Sequence, residues 1–161
     1  MKPKSIAYRS WEHPVQQFIK RKKGILYGGR AMNINLPPIM KRYTTDFDIW
    51  TRSYKKHAYE LEQELSQRRS GSYHVKHIQI PDNKKSVYRV VHTPTGQVIA
   101  DFTRAPSKKQ YYSKQGTQYQ TLLSQKQRLE AILSNPKFKY RHEKAERDLN
   151  KINYYLRKME F

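Results

Sequence analysis

Apolar positions along this 161-residue chain follow two periods. Trp11, Val15, Phe18 and Ile19 recur at the steps of one helix face, which predicts a helix from Trp11 to Lys22. Residues 1–10 are polar and basic and are expected to be loose. The apolar run Ile25-Leu26-Tyr27, ended by Gly28-Gly29, predicts a buried strand entering a tight turn. Arg30 to Asn35 begins a second helical pattern, which Pro37-Pro38 must end. Asp46 to Trp50 reads as a strand, Ser53 to Arg69 as a helix closed by Gly71, and Tyr73 to Ile80 as a further strand. Ser86 to His92 and Gln97 to Thr103 form a hairpin around Thr93-Pro94-Thr95-Gly96, with Pro second and Gly fourth as a type I turn prefers.

The polar stretch Ser107–Gly116 is expected to be a loop or channel edge. Beyond it the pattern turns helical. Tyr119, Leu122, Leu123, Leu129, Ile132 and Leu133 mark one apolar face. After a break at Asn135-Pro136, Ala145, Leu149, Ile152, Leu156 and Met159 mark a second. No repeat or linker divides the chain. The expectation is a single domain over 1–161 of α/β (α+β) class. A mixed sheet with flanking helices fills 11–104, and a C-terminal helical pair fills 117–160.

Only 36% of the residues are hydrophobic, so the core must be economical. Thirteen Tyr help, since each ring buries apolar area and keeps a hydroxyl for a partner. Charge changes the picture more. Thirty-three Lys and Arg against 13 Asp and Glu give a net +20, a field that draws polyanions and repels cations. Nucleic acid is the first partner to expect, ahead of an anionic membrane surface or an acidic protein. The bland alternative is a solvated basic surface with no partner. No apolar run reaches membrane-spanning length and no signal-peptide pattern opens the sequence. The expected setting is therefore cytoplasmic, or packaged with nucleic acid in a virion, with no membrane partner. The lack of Cys excludes disulfides, thiolate zinc sites and Cys nucleophiles.

The candidate chemistry lies between Gly24 and Trp50. Gly28 and Gly29 let backbone approach a ligand closely, because no Cβ intervenes. A helix starting there would offer free N–H groups to phosphate. Asp46 and Asp48, two apart on a strand, point to one face while Phe47 and Ile49 point into the core. Paired carboxylates are a natural seat for magnesium or manganese, hard cations that prefer oxygen. Asp101 lies in the apolar strand Val98-Ile99-Ala100-Asp101-Phe102, where a buried unpaired charge would be expensive. It is the candidate third carboxylate, against the alternative of a cross-strand pair with a Lys or Arg. Arg42 and Thr44 either position phosphate or brace the acidic strand. The pairs Tyr111-Tyr112 and Tyr154-Tyr155 either stack on bases or pack in the core. His74 and His77 would point to opposite faces of their strand, a poor metal pair.

Gly28-Gly29 followed by Arg42-x-Thr44-x-Asp46-Phe47-Asp48-Ile49 resembles the nucleotidyltransferase superfamily, which shares a fold with DNA polymerase beta. The pattern is most similar to the abortive-infection nucleotidyltransferase toxins. Arg141, Lys144 and Asp148-Leu149 resemble that group's late helix. The resemblance covers 24–104 and 140–156. It departs in a longer gap from Gly29 to Asp46, in Gly at the second turn position, and in Ala145 after Lys144.

The resemblance implies catalytic and metal-binding roles for Asp46, Asp48 and Asp101. It implies nucleotide contacts from Gly28, Gly29, Arg30, Arg42, Thr44 and Lys144. The implied reaction moves a nucleoside monophosphate from a nucleoside triphosphate (NTP) to an acceptor hydroxyl with Mg2+ or Mn2+, and RNA resembling transfer RNA suits the basic field as acceptor. The alternative is a non-catalytic, basic nucleic-acid-binding or virion-associated protein with the same fold. A sugar-nucleotide transferase with Asp-x-Asp would not need the preceding glycines.

Overall fold

The computed structural model describes residues 4–68, 72–80 and 85–159. Gly71, the expected helix stop, lies outside the described residues. The described residues form seven strands: β1 (Ile25–Tyr27), β2 (Phe47–Trp50), β3 (Tyr73–Ile80), β4 (Lys85–His92), β5 (Gln97–Thr103), β6 (Tyr111–Lys114) and β7 (Thr117–Gln120). They form one mixed sheet in the order β3-β4-β5-β2-β1-β7-β6. Flanking it are α1 (Lys4–Lys22), α2 (Gly29–Asn33), α3 (Tyr54–Arg68), α4 (Leu122–Ser134) and α5 (His142–Met159). The class is α/β, with a C-terminal pair of helices, α4 and α5. No helix among the described residues is long and apolar enough to cross a membrane.

The side-chain period sorts the central strands into two faces. Leu26, Phe47, Ile49, Ala100 and Phe102 enter the main core. There they meet Trp11, Val15, Phe18 and Ile19 of α1 and Ala58, Leu61 and Leu65 of α3. Burying each large side chain contributes roughly 1.5–3 kcal/mol. A one-residue slip would swap this set for the polar one, so burial fixes the register. A second cluster of Met32, Leu36, Leu122 and Ile152 ties α2 to α4 and α5 on the opposite face. The space between that face and the two C-terminal helices becomes the site.

Three expectations change. The first helix begins at Lys4 rather than Trp11 and carries Pro14 within it. The apolar spacing read from the sequence begins only at Trp11, so the pattern starts the helix too late. Ser107–Gly116 is not a plain loop: it contains β6, an edge strand with mostly exposed side chains and hence no apolar alternation to reveal it. Residues 117–120, including Tyr119, form β7 parallel to β1, so the helical pair starts at Leu122 and not at residue 117.

Candidate active site

β2 and β5 run parallel with Asp48 directly opposite Asp101. Asp46 lies just before β2. Each of the three carboxylates offers an oxygen within 4.8 Å of the others, and they are the one such acidic or histidine cluster among the described residues. The turn after β1 closes over them. Gly28 has φ 69°, and a Cβ there would sit 2.7 Å from Asp48 Oδ2. Glycine is therefore required both by conformation and by the close approach of the acid.

Asp48 responds to the crowding. Asp48 is pushed up to about 6, first by burial and then by the charges of Asp46 and Asp101; Arg128 and Lys144 oppose this. A divalent cation among the three would relieve that repulsion. An all-oxygen, multiply charged donor set fits magnesium or manganese. Asp101 is held by a fork from the neighbouring strand: Arg89 donates from Nε to Oδ1 at 2.8 Å and from Nη2 to Oδ2 at 3.0 Å. Both readings of Asp101 thus hold together, as a member of the acidic cluster and as a cross-strand ion pair.

The trio faces a cleft of about 380 Å³, a size typical of small-ligand sites. Gly28 and Gly29 line one side, and Arg128, Arg141 and Lys144 line the side formed by the C-terminal helices. Met32, Leu129 and Ile132 supply apolar lining, beside the buried side chains of Gln120 and Gln125. Arg42 also reaches the cleft. Its loop is pinned to α2, because Asn33 exchanges hydrogen bonds with the Arg42 backbone at 2.9 and 2.5 Å. Its Nη1 donates to Asp148 Oδ2 of α5 at 3.3 Å. A Cβ on Gly29 would lie 2.6 Å from Arg42 Nη2, so the second glycine makes room for this guanidinium.

Not every expected residue faces the cleft. Arg30 is turned to the core side of the sheet. It donates to the Asp46 carbonyl at 2.8 Å, the Thr45 carbonyl at 3.3 Å and Glu12 Oε1 at 3.0 Å. Its guanidinium also covers the Phe47 ring at 3.5 Å. The expectation that Arg30 cradles phosphate is corrected: it braces the segment entering β2. Thr44 Oγ1 reaches Asp46 Oδ1 at 3.4 Å and also lies outside the cleft lining, which favours the bracing role. His77 is stacked on Tyr88 and His74 is hydrogen-bonded to Thr93, so neither joins a metal cluster.

Sequence reasoning missed Arg89, Arg128, Gln120 and Gln125. Arg89 was nearly accessible, since it lies in the hairpin partner of the Asp101 strand. Arg128 sits on a helix whose spacing reveals an apolar face but not what the polar positions touch.

No protein-family model and no curated protein matches this chain. Solved structures do. Megavirus polyadenylate synthase matches with a TM-score of 0.70 at 19% identity, over 97% of this chain and 33% of that one. JHP933 from Helicobacter pylori matches with a TM-score of 0.50 at 10% identity, over 86% of this chain and 60% of that one. The chain has a nucleotidyltransferase fold. It spans about a third of the length of the polyadenylate synthase and under two thirds of JHP933.

Proposed function

We propose that this chain is a divalent-cation-dependent nucleotidyltransferase that moves a nucleoside monophosphate from an NTP to a hydroxyl of RNA. One observation carries the reading: three carboxylates gather on one cleft wall of a strongly basic protein, opposite Arg128, Arg141 and Lys144. A site meant only to hold phosphate would be weakened by those acids.

In this reading Asp46, Asp48 and Asp101 hold the cation, Mg2+ or Mn2+. When bound, the cation supplies charge neutralisation at the triphosphate and acidifies the acceptor hydroxyl. Gly28 and Gly29 allow close approach of the triphosphate. Arg42 and Lys144 bind its oxygens. Asp101, oriented by Arg89, accepts the hydroxyl proton. The hydroxyl oxygen bonds to the α-phosphorus, the bond to the β-phosphate oxygen breaks, and pyrophosphate leaves. Positioning and charge stabilisation supply most of the acceleration, as in other phosphoryl transfers. The positive field favours a polyanionic acceptor over a cationic small molecule. The likeness to a polyadenylate synthase supports RNA as that acceptor.

The test is transfer of label from each α-labelled NTP to RNA, transfer RNA included, with magnesium present. Label on RNA with the native chain, lost in Asp46→Asn/Asp48→Asn, is the expected result. No label, with equal salt-sensitive RNA binding by both proteins, would favour the non-catalytic binder instead.

A further inference from the structure

The sheet face that carries the acids continues beyond them. On β2 the next residue on that face is Trp50, and β5 runs on past Asp101 into Arg104-Ala105-Pro106. Trp50 stacks on Tyr27 with ring centroids 4.6 Å apart and planes 14° apart. Arg128 and Lys85 lie over the Tyr27 ring at 5.2 and 5.6 Å. Beside this platform runs a groove lined by Trp50, Tyr54, Lys85, Arg104 and Arg128. Arg128 lines both this groove and the acidic cleft, so the two adjoin. From Trp50, Tyr54 and Arg104 the groove continues to Lys23, Arg52, Lys109 and Tyr111.

The groove and the cleft differ in charge. The cleft carries four acids among its lining residues. The groove carries none among the described residues that line it, while it presents cations throughout, with the Tyr111 ring exposed, Tyr54 half-buried and Trp50 buried at its base. Arg52, Arg104, Lys109 and Arg128 pair with no carboxylate among the described residues. Exposed cations interleaved with aromatic rings suit a chain of phosphates whose bases are free to stack. A duplex hides those base faces. An acidic peptide or a lipid surface would use the cations and leave the rings without a role.

We propose that this groove binds a single-stranded nucleic-acid acceptor and leads its terminal hydroxyl past Arg128 to the acidic cluster. The triphosphate then takes the other side, at Gly28, Gly29 and Arg42. The fate of the hydroxyl rests on the nucleotidyltransferase reading; the binding itself does not.

The test measures binding of a labelled single-stranded RNA oligonucleotide by fluorescence anisotropy, with chelator present and no NTP. Arg104→Glu/Lys109→Glu alters exposed residues and is compared with Lys41→Glu/Lys151→Glu, the same charge change outside the groove. The groove variant is expected to bind at least tenfold more weakly than that control. Its salt dependence should be shallower by roughly 0.7 in logarithmic slope for each phosphate that the variant no longer neutralises. Tyr111→Ala should weaken binding by roughly fivefold or more. A duplex of the same length should bind more weakly than the single strand. Equal affinities for the two charge variants, or preference for the duplex, would overturn the proposal. Label transfer to RNA that survives the groove variant unchanged would refute the groove and leave the enzyme reading standing. Groove-dependent binding without transfer from any NTP would refute the enzyme reading alone.

Discussion

On one face of β2 and β5, Phe47, Ile49, Ala100 and Phe102 are fully buried against α1 and α3. On the other, one residue along, Asp48 and Asp101 stand side by side with Asp46 close to both. The first face gains free energy by burial; the second loses it by crowding like charges. A basic, hydrophobe-poor chain thus holds three repelling carboxylates in register. Apolar contacts on one side of a strand fix positions that electrostatics on the other side would spread apart.

Removal of the acids has the largest expected effect on catalysis. Asp46→Asn/Asp48→Asn should lower nucleotide transfer by about a thousandfold or more, roughly 4 kcal/mol of transition-state stabilisation. Denaturant melts should show no loss of folding stability. Phe102→Ala, on the opposite face, should cost roughly 3–5 kcal/mol of stability in the same melts. If Asp46 and Asp48 instead prove to stabilise the metal-free fold, the account of the two faces fails.

The third effect depends on pH. Asp48 holds its proton more tightly in the folded chain than its ordinary value allows, so stability falls as pH rises from about 4 through about 6 and stays lower above it. Asp48→Asn should therefore stabilise the metal-free protein by roughly 2–3 kcal/mol at pH 8 and have no effect near pH 3. Magnesium should reduce that difference above pH 6, and its affinity should fall as pH drops below 6. Thermal melts across pH, with and without magnesium, check both.

Two smaller effects sharpen the picture. Arg89→Ala leaves Asp101 without its fork and should cost roughly 1–2 kcal/mol, partly restored by magnesium. The last pair is Arg42, which lines the cleft, and Arg30, which does not. Arg42→Ala should raise KM for the NTP by about tenfold, equivalent to about 1.4 kcal/mol. Arg30→Ala should lower the melting temperature without a comparable change in KM for the NTP.

Much of the acidic site could be read from the chain because period two is rigid. Burial of Phe47 and Ile49 sends Asp48 to the opposite side of β2, and Asp46, which the sequence placed in the strand, lies in the bend just before it and reaches the same side. The glycine turn was legible for the same reason, since few other residues tolerate that backbone. Arg89 was hidden by a bulge. From the turn, His92 pairs Gln97 and Val91 pairs Val98, and an unbroken ladder would set Tyr88 against Asp101. The register shifts between Val90 and Val91, and Arg89 takes that place. Arg30 misled because adjacency to a glycine turn says nothing of direction; its side chain leaves toward Phe47 and Glu12. Arg42 comes from an irregular loop, where no period tells which way a side chain points. Arg128 needed the packing of α4 over the sheet, which depends on the whole fold.

Crystals grown with manganese and a nucleoside triphosphate, measured for manganese anomalous scattering, test the central claim most directly. The account predicts anomalous density bonded to carboxylate oxygens of Asp46, Asp48 and Asp101, with the triphosphate running toward Gly28, Gly29 and Arg42. A triphosphate bound elsewhere, with no manganese at the three acids, would contradict it.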